Sequence, residues 1–164
     1  MATTEHTIND ALATTLRTTR HAWKLSKIVK SENTGEIKGS NVRPDIIINE
    51  PFVSPVVIET EFPPATTVET EAISRLGLQL RASGKKIISS IAVIVPERFK
   101  QKIGKNLEEG FYTCNDLQIA LFTGNNPEDY SRWPVSGWIT GGITDLSLFI
   151  QSTLVPPEVI DKAA

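Results

Sequence analysis

The sequence predicts an α/β fold, a mixed sheet flanked by helices, and three observations predict it. Two short apolar runs, residues 43–49 and 56–62, are separated by a six-residue connection holding Pro51 and Pro55, which suits a tight link between antiparallel strands. A helix signal follows that hairpin. A nearly continuous apolar run over residues 87–95 comes next, as expected of a central strand joined in parallel through a crossover helix.

Taken in order, residues 7–30 read as a helix or a pair of helical turns, with Ile8, Leu12, Leu16 and Trp23 as inward positions. Residues 31–41 read as a turn around a short strand near 36–38, the first strand of a meander. Pro63-Pro64 ends the second hairpin strand. Thr66 and Glu69 then form a capping box, with Thr66 as N-cap and Glu69 at N3. That helix reads on to about Ser83 and stops at Gly84, carrying Val68, Ala72, Leu76 and Leu80 on one stripe. Residues 97–106 read as a short basic helix, and residues 117–122 as a strand stopped by Gly124 to Pro127. The stretch 130–138 reads as irregular, its two tryptophans packing against the core or covering a ligand groove. Thr144-Asp145 opens a last helix with Leu146, Phe149 and Ile150 inward. Residues 1–154 form one domain in this reading, and 155–164 a tail or the start of a linker.

The hairpin carries acids where core strands ordinarily do not. Side chains alternate along a strand, so Glu59 and Glu61 leave the same face roughly 7 Å apart, while Ile58 and Phe62 point into a core. Asp45 begins the preceding strand, where an antiparallel turn brings it beside the pair. Three converging carboxylates repel one another unless a cation sits among them. Oxygen-only ligands favour Mg2+ or Mn2+, and such a site activates water and stabilises phosphodiester charge. The competing expectation is acids at strand ends that face solvent.

Pro44-Asp45, thirteen intervening residues and Glu59-Thr60-Glu61 resemble the active-site signature of the PD-(D/E)XK nuclease superfamily, the restriction-endonuclease-like fold. The resemblance covers the hairpin and, more loosely, the order of elements over residues 5–124. It implies an αβββαβ core and Mg2+-dependent hydrolysis of DNA, with Asp45 and Glu59 holding the metal and Glu61 as a further ligand or orienting the attacking water. Glu61 stands where the family usually has lysine, a departure that some restriction enzymes of the group share. The resemblance also implies that an acid of the first helix, Glu5 or Asp10, approaches the metal, and that helix residues after the hairpin support the site.

Two further patterns bear on function. Arg17, Arg20, Lys24 and Lys27 follow a three-and-four spacing on one helical face, which suits tracking of a phosphate backbone or a solvated face. Glu71, Arg75 and Gln79 lie at four-residue spacing. Their simplest reading is a Glu71–Arg75 pair; in the alternative, Arg75 or Gln79 faces the carboxylates and replaces the charge of the absent lysine.

Composition narrows the classes. Net charge is −2, so a DNA surface must be a local patch. Cys114 is the single cysteine, which excludes an intrachain disulfide and suits a buried apolar position. With only His6 and His21, a Cys/His zinc site or a Ser-His-Asp triad has little support, and no phosphate-binding glycine loop is present. No apolar run spans a membrane and no signal peptide is evident, so a cytoplasmic protein is expected. The expected partners are DNA, then a methyltransferase or another restriction-system domain; a homodimer is compatible. The competing function is a catalytically inactive nuclease-like domain for DNA or protein binding and assembly.

Overall fold

Ile8, Leu12 and Leu16 recur at four-residue spacing and are all buried, so helix α1, Glu5–Thr19, docks by that stripe. The computed structural model describes residues 5–19, 29–31, 37–40, 42, 44–49, 54–81, 83–101 and 105–153. It is an α/β structure whose mixed sheet is flanked by helices. Strands β1 (Val29–Ser31), β2 (Ile46–Ile48), β3 (Val56–Glu61), β4 (Ser89–Ile94), β5 (Leu117–Asn126) and β6 (Asp129–Trp133) lie side by side in chain order, and β7 (Ile139–Gly141) also pairs with β5. The pairs β1/β2 and β2/β3 are antiparallel, β3/β4 is parallel, and β4/β5, β5/β6 and β5/β7 are antiparallel. The single parallel pair requires a crossover. Helix α2, Val68–Ser74, supplies it.

Alternation on β2 and β3 sorts their side chains to two cores. Ile46, Ile48, Val56 and Ile58 join Ile91 and Val93 beneath α1, α3 (Lys105–Thr113) and α4 (Ile143–Thr153). On the opposite face Val68 and Ala72 of α2, with Leu76 just beyond it, pack on Ala92, Ile94, Ala120 and Phe122, while Ile47 and Val57 pack with Ile37, Leu80 and Ile87. Glu59 and Glu61 belong to this second face. Cys114 is buried in the first core, as expected, and burial followed by the charge of Asp116 pushes its thiol up.

Several boundaries differ from the sequence reading. The helix expected over 7–30 ends at Thr19, and Val29–Ser31 pairs instead with β2, where sheet pairing satisfies the backbone of β1; residues 20–28 lie outside the described residues. Trp23 lies outside the described residues. Ile37 forms a single bridge to Leu80 in place of the expected strand. Helix α2 ends at Ser74, nine residues early, because Gly77 turns with φ 89° and brings the chain against the Asn125 carbonyl. A Cβ there would sit 2.5 Å from that oxygen. Gly77→Ala is therefore expected to cost about 2 kcal/mol or more in urea unfolding, from left-handed strain and the clash with backbone.

The basic segment after β4 is a 3-10 helix over Glu97–Gln101, and α3 starts at Lys105. Phe99 and Phe111 join these two pieces with ring centroids 4.7 Å apart. The stretch expected to be irregular, 130–138, contains most of β6, and β7 follows directly after it. Trp138 packs against the α2-side core, whereas Trp133 is half exposed and meets Phe149 edge-on. The last helix carries Leu146 and Ile150 inward as expected, and Asp145 accepts a hydrogen bond from the Gly142 amide at its start. Among the described residues no helix is long and apolar enough to cross a membrane. Residues 155–164 lie outside the described residues.

Candidate carboxylate site

The antiparallel register of β2 and β3 pairs Ile46 with Ile58, so the next pair outward is Asp45 with Glu59. The two acids are held by reciprocal use of each other's strand. The Asp45 amide donates to Glu59 Oε2 at 3.3 Å, and the Thr60 amide donates to Asp45 Oδ2 at 2.8 Å. Thr60 is buried, and its side chain leaves the other face of β3, where its hydroxyl donates to Oδ1 of Asn9 on α1. The same hydroxyl lies 3.4 Å from Asp45 Oδ2.

Glu59 is fully buried, and its register partner on β4 is Ala92, whose small side chain leaves space on that face. Arg75, at the C-cap of α2, fills it: Nε donates to Glu59 Oε2 at 3.3 Å and Nη2 to Oε1 at 3.2 Å. This bidentate pair replaces the simpler Glu71–Arg75 reading. Burial, then the charge of Asp45, pushes the Glu59 carboxyl up to about 8 despite the opposing pull of Arg75. A buried acid beside another acid favours its neutral form unless a cation compensates.

Glu61 leaves the same face as Glu59 but does a different job. Its Oε1 accepts from the amides of Thr67 and Val68, each at 3.0 Å, and its Oε2 from the Thr67 hydroxyl at 2.6 Å. It thus caps α2 from the preceding strand, satisfying donors that the helix leaves open. Partial burial pushes this carboxyl up, but the bonds from Thr67 and Val68 outweigh it and hold it below the ordinary glutamate value. The capping box expected at Thr66 is absent: Thr67 is the N-cap without a side-chain cap bond. Glu69 accepts instead from Arg132 Nε at 2.8 Å.

Of the remaining expected residues, those the structure describes are placed elsewhere. Gln79 donates to the Gly84 carbonyl at 2.8 Å, closing a turn beyond α2. Asp10 is exposed and lines a groove between α1 and α3 with Thr7, Ala11, Thr14, Leu107 and Glu108; the Glu5 side chain lies outside the described residues. Arg17 is half-buried on α1, where Nη2 donates to Thr14 Oγ1 at 3.0 Å. Arg20, Lys24 and Lys27 lie outside the described residues. Sequence reasoning missed Asn9 and Thr60. An acid was sought on α1, whereas the residue that reaches the site is a neutral amide, marked in the sequence only by its place beside the Ile8 stripe.

The arrangement is a two-carboxylate centre with a fixed guanidinium. Among the described residues, no group of three or more His, Cys, Asp or Glu side chains is placed to hold a metal ion. The oxygen-only set of Asp45 and Glu59 still fits Mg2+ or Mn2+, which are commonly bound through one or two carboxylates completed by substrate phosphate and water. No family model matches the chain, and neither a curated protein nor a solved structure matches it.

Proposed function

We propose that the protein is a metal-dependent nuclease that hydrolyses phosphodiester bonds of DNA, in a restriction or related bacterial defence role. The observation that carries this reading is the side-by-side placement of Asp45, just ahead of β2, and Glu59, within the paired strand β3, beside a crossover segment that supplies Arg75. The order from α1 to β4, helix, three antiparallel strands, helix and parallel strand, supports assignment to the restriction-endonuclease-like fold. In this reading Asp45 and Glu59 hold Mg2+ or Mn2+, which when bound supplies an activated water and charge stabilisation. The Thr60 amide fixes the Asp45 carboxylate. Arg75 holds Glu59 in place and lends to the phosphate the positive charge that lysine provides elsewhere in the family. A cytoplasmic location accompanies this reading.

A second reading is favoured by two observations: Arg75 engages both oxygens of Glu59, and Glu61 is committed to α2. It makes the chain a nuclease-derived domain that binds DNA or assembles with a methyltransferase or other restriction-system partner. Cleavage of supercoiled and single-stranded DNA separates the two, with Mg2+ and then Mn2+ and with Asp45→Asn and Glu59→Gln at matched purity. The nuclease requires metal-dependent cleavage lost in both variants. Cleavage unaffected by them comes from another site or a contaminant, and a folded wild type that cleaves nothing supports the binding domain.

A further inference from the structure

Beyond Glu71 the sequence holds no acid until Glu97, while it holds Arg75, Arg81, Lys85 and Lys86. Past Gly77 this segment doubles back on itself. The Leu80 amide donates to the Lys85 carbonyl and the Ile87 amide to that of Leu78, each at 2.8 Å, and the Lys38 amide adds a third strand-like segment through the Gln79 carbonyl at 2.8 Å. Single antiparallel bridges, Ile37 with Leu80 and Gln79 with Lys86, fix the register.

Paired residues of such a ribbon share a face, and neighbours alternate. Ile37, Leu80 and Ile87 are therefore turned together into the core over Ile47 and Val57. The opposite row is Lys38, Gln79 and Lys86, and Arg81 shares the parity of Gln79. Burial follows that division: Lys38, Arg81 and Lys86 lie outside the core, with Lys38 and Arg81 exposed and Gln79 half-buried. Three cations thus stand on one face, with Lys38 and Lys86 about 10 Å apart across two strand spacings. Val57 precedes Glu59 by two residues on the same face of β3, so the ribbon's buried side lies roughly 7 Å along the strand from the carboxylate pair.

We propose that the outward face of this ribbon, Lys38, Gln79, Arg81 and Lys86, binds the phosphate backbone of duplex DNA and sets it against Asp45 and Glu59. The proposal rests on the phosphodiester reading of that pair. Among the described residues the row Lys38, Gln79, Arg81 and Lys86 holds three cations and an amide, a composition that suits protein–DNA interfaces, which are polar and strongly positive. Gln79 adds a neutral hydrogen-bonding group within the cationic row. Bonds to phosphate position the duplex without reading its sequence.

The test is fluorescence anisotropy of the full chain with a labelled duplex in EDTA across a salt series, comparing wild type with Lys38→Gln/Arg81→Gln/Lys86→Gln and each single variant. Each phosphate that a variant no longer neutralises is expected to reduce the slope of log affinity against log salt by about 0.9, so the triple variant's slope falls by roughly 2.7. Its affinity at low salt is expected to fall more than tenfold. Circular dichroism checks folding, and the single variants carry the test if the triple does not fold. An unchanged slope in folded variants, no duplex binding by wild type, or displacement of the duplex by polyglutamate at matched charge overturns the proposal, the last in favour of an acidic protein partner. A slope reduced in the variants without any wild-type cleavage leaves the surface standing and removes only the catalytic reading. Cleavage that depends on Asp45, with slopes unchanged, does the reverse.

Discussion

Arg75→Ala is expected to lower the unfolding free energy by about 3–5 kcal/mol at pH 8–9, the usual cost of removing one partner from a buried ion pair. Arg75 is the cation that approaches both oxygens of Glu59, and the Glu59 side chain is only 1% exposed. Without it the carboxylate must stay charged in a dry site beside Asp45 or take up a proton. The cost should shrink at pH 5, where Glu59, pushed up to about 8, is already neutral. The sign for the wild type follows from the same displacement. Between the ordinary value of 4.5 and about 8 the folded state holds a proton that the unfolded state releases, so this group's contribution is full below that window and is lost as pH rises through it. Glu59→Gln should flatten that dependence and restore stability to Arg75→Ala. Urea midpoints at pH 5 and pH 8.5 decide it; a loss for Arg75→Ala below about 0.5 kcal/mol at both pH values, as for an ordinary surface change, would mean that the pair holds nothing together.

The second large effect separates two acids that the sequence placed in one cluster. Asp45→Asn keeps the side chain's shape and an acceptor for the Thr60 amide, but removes the charge that in the proposed nuclease would hold a cation. Charge stabilisation at a metal site is worth several kcal/mol, so DNA cleavage should fall roughly a thousandfold. Glu61→Ala should behave differently. Its carboxylate receives two amides and a hydroxyl at the start of α2, so its loss is expected to cost about 1 kcal/mol of stability while cleavage stays within about tenfold. A folded Glu61→Ala protein that cleaves nothing would return Glu61 to the ligand or water-orienting role.

What could be read in advance divides along physical lines. The hairpin strands, the buried run of β4 and the stripe of Val68, Ala72 and Leu76 were legible because burial imposes periods of two and 3.6 that survive in sequence. Asp45 beside Glu59 followed from the same alternation. The ends of α1 and α2 were not legible, since α1 yields to strand pairing that spans distant residues and α2 stops at a left-handed Gly77 pressed on Asn125. The partner of Glu61 escaped, and that of Arg75 was reached only as the alternative reading, for a related reason. Four-residue spacing named Glu71 as the neighbour of Arg75, yet Arg75 pairs with Glu59 across the layer between helix and sheet, and Glu61 is claimed by a helix end rather than by the other acids.

Thr60 sets a limit on which sequences this architecture tolerates. Its amide holds Asp45 while its hydroxyl serves Asn9 on α1, so one residue joins the two sides of the sheet. Valine would reproduce its shape and keep the amide, yet leave Asn9 buried without that donor. Serine would keep both bonds and surrender only a methyl group. Drift at position 60 is accordingly narrower than burial alone would allow, and a change of Asn9 far along the chain alters which residues position 60 can accept.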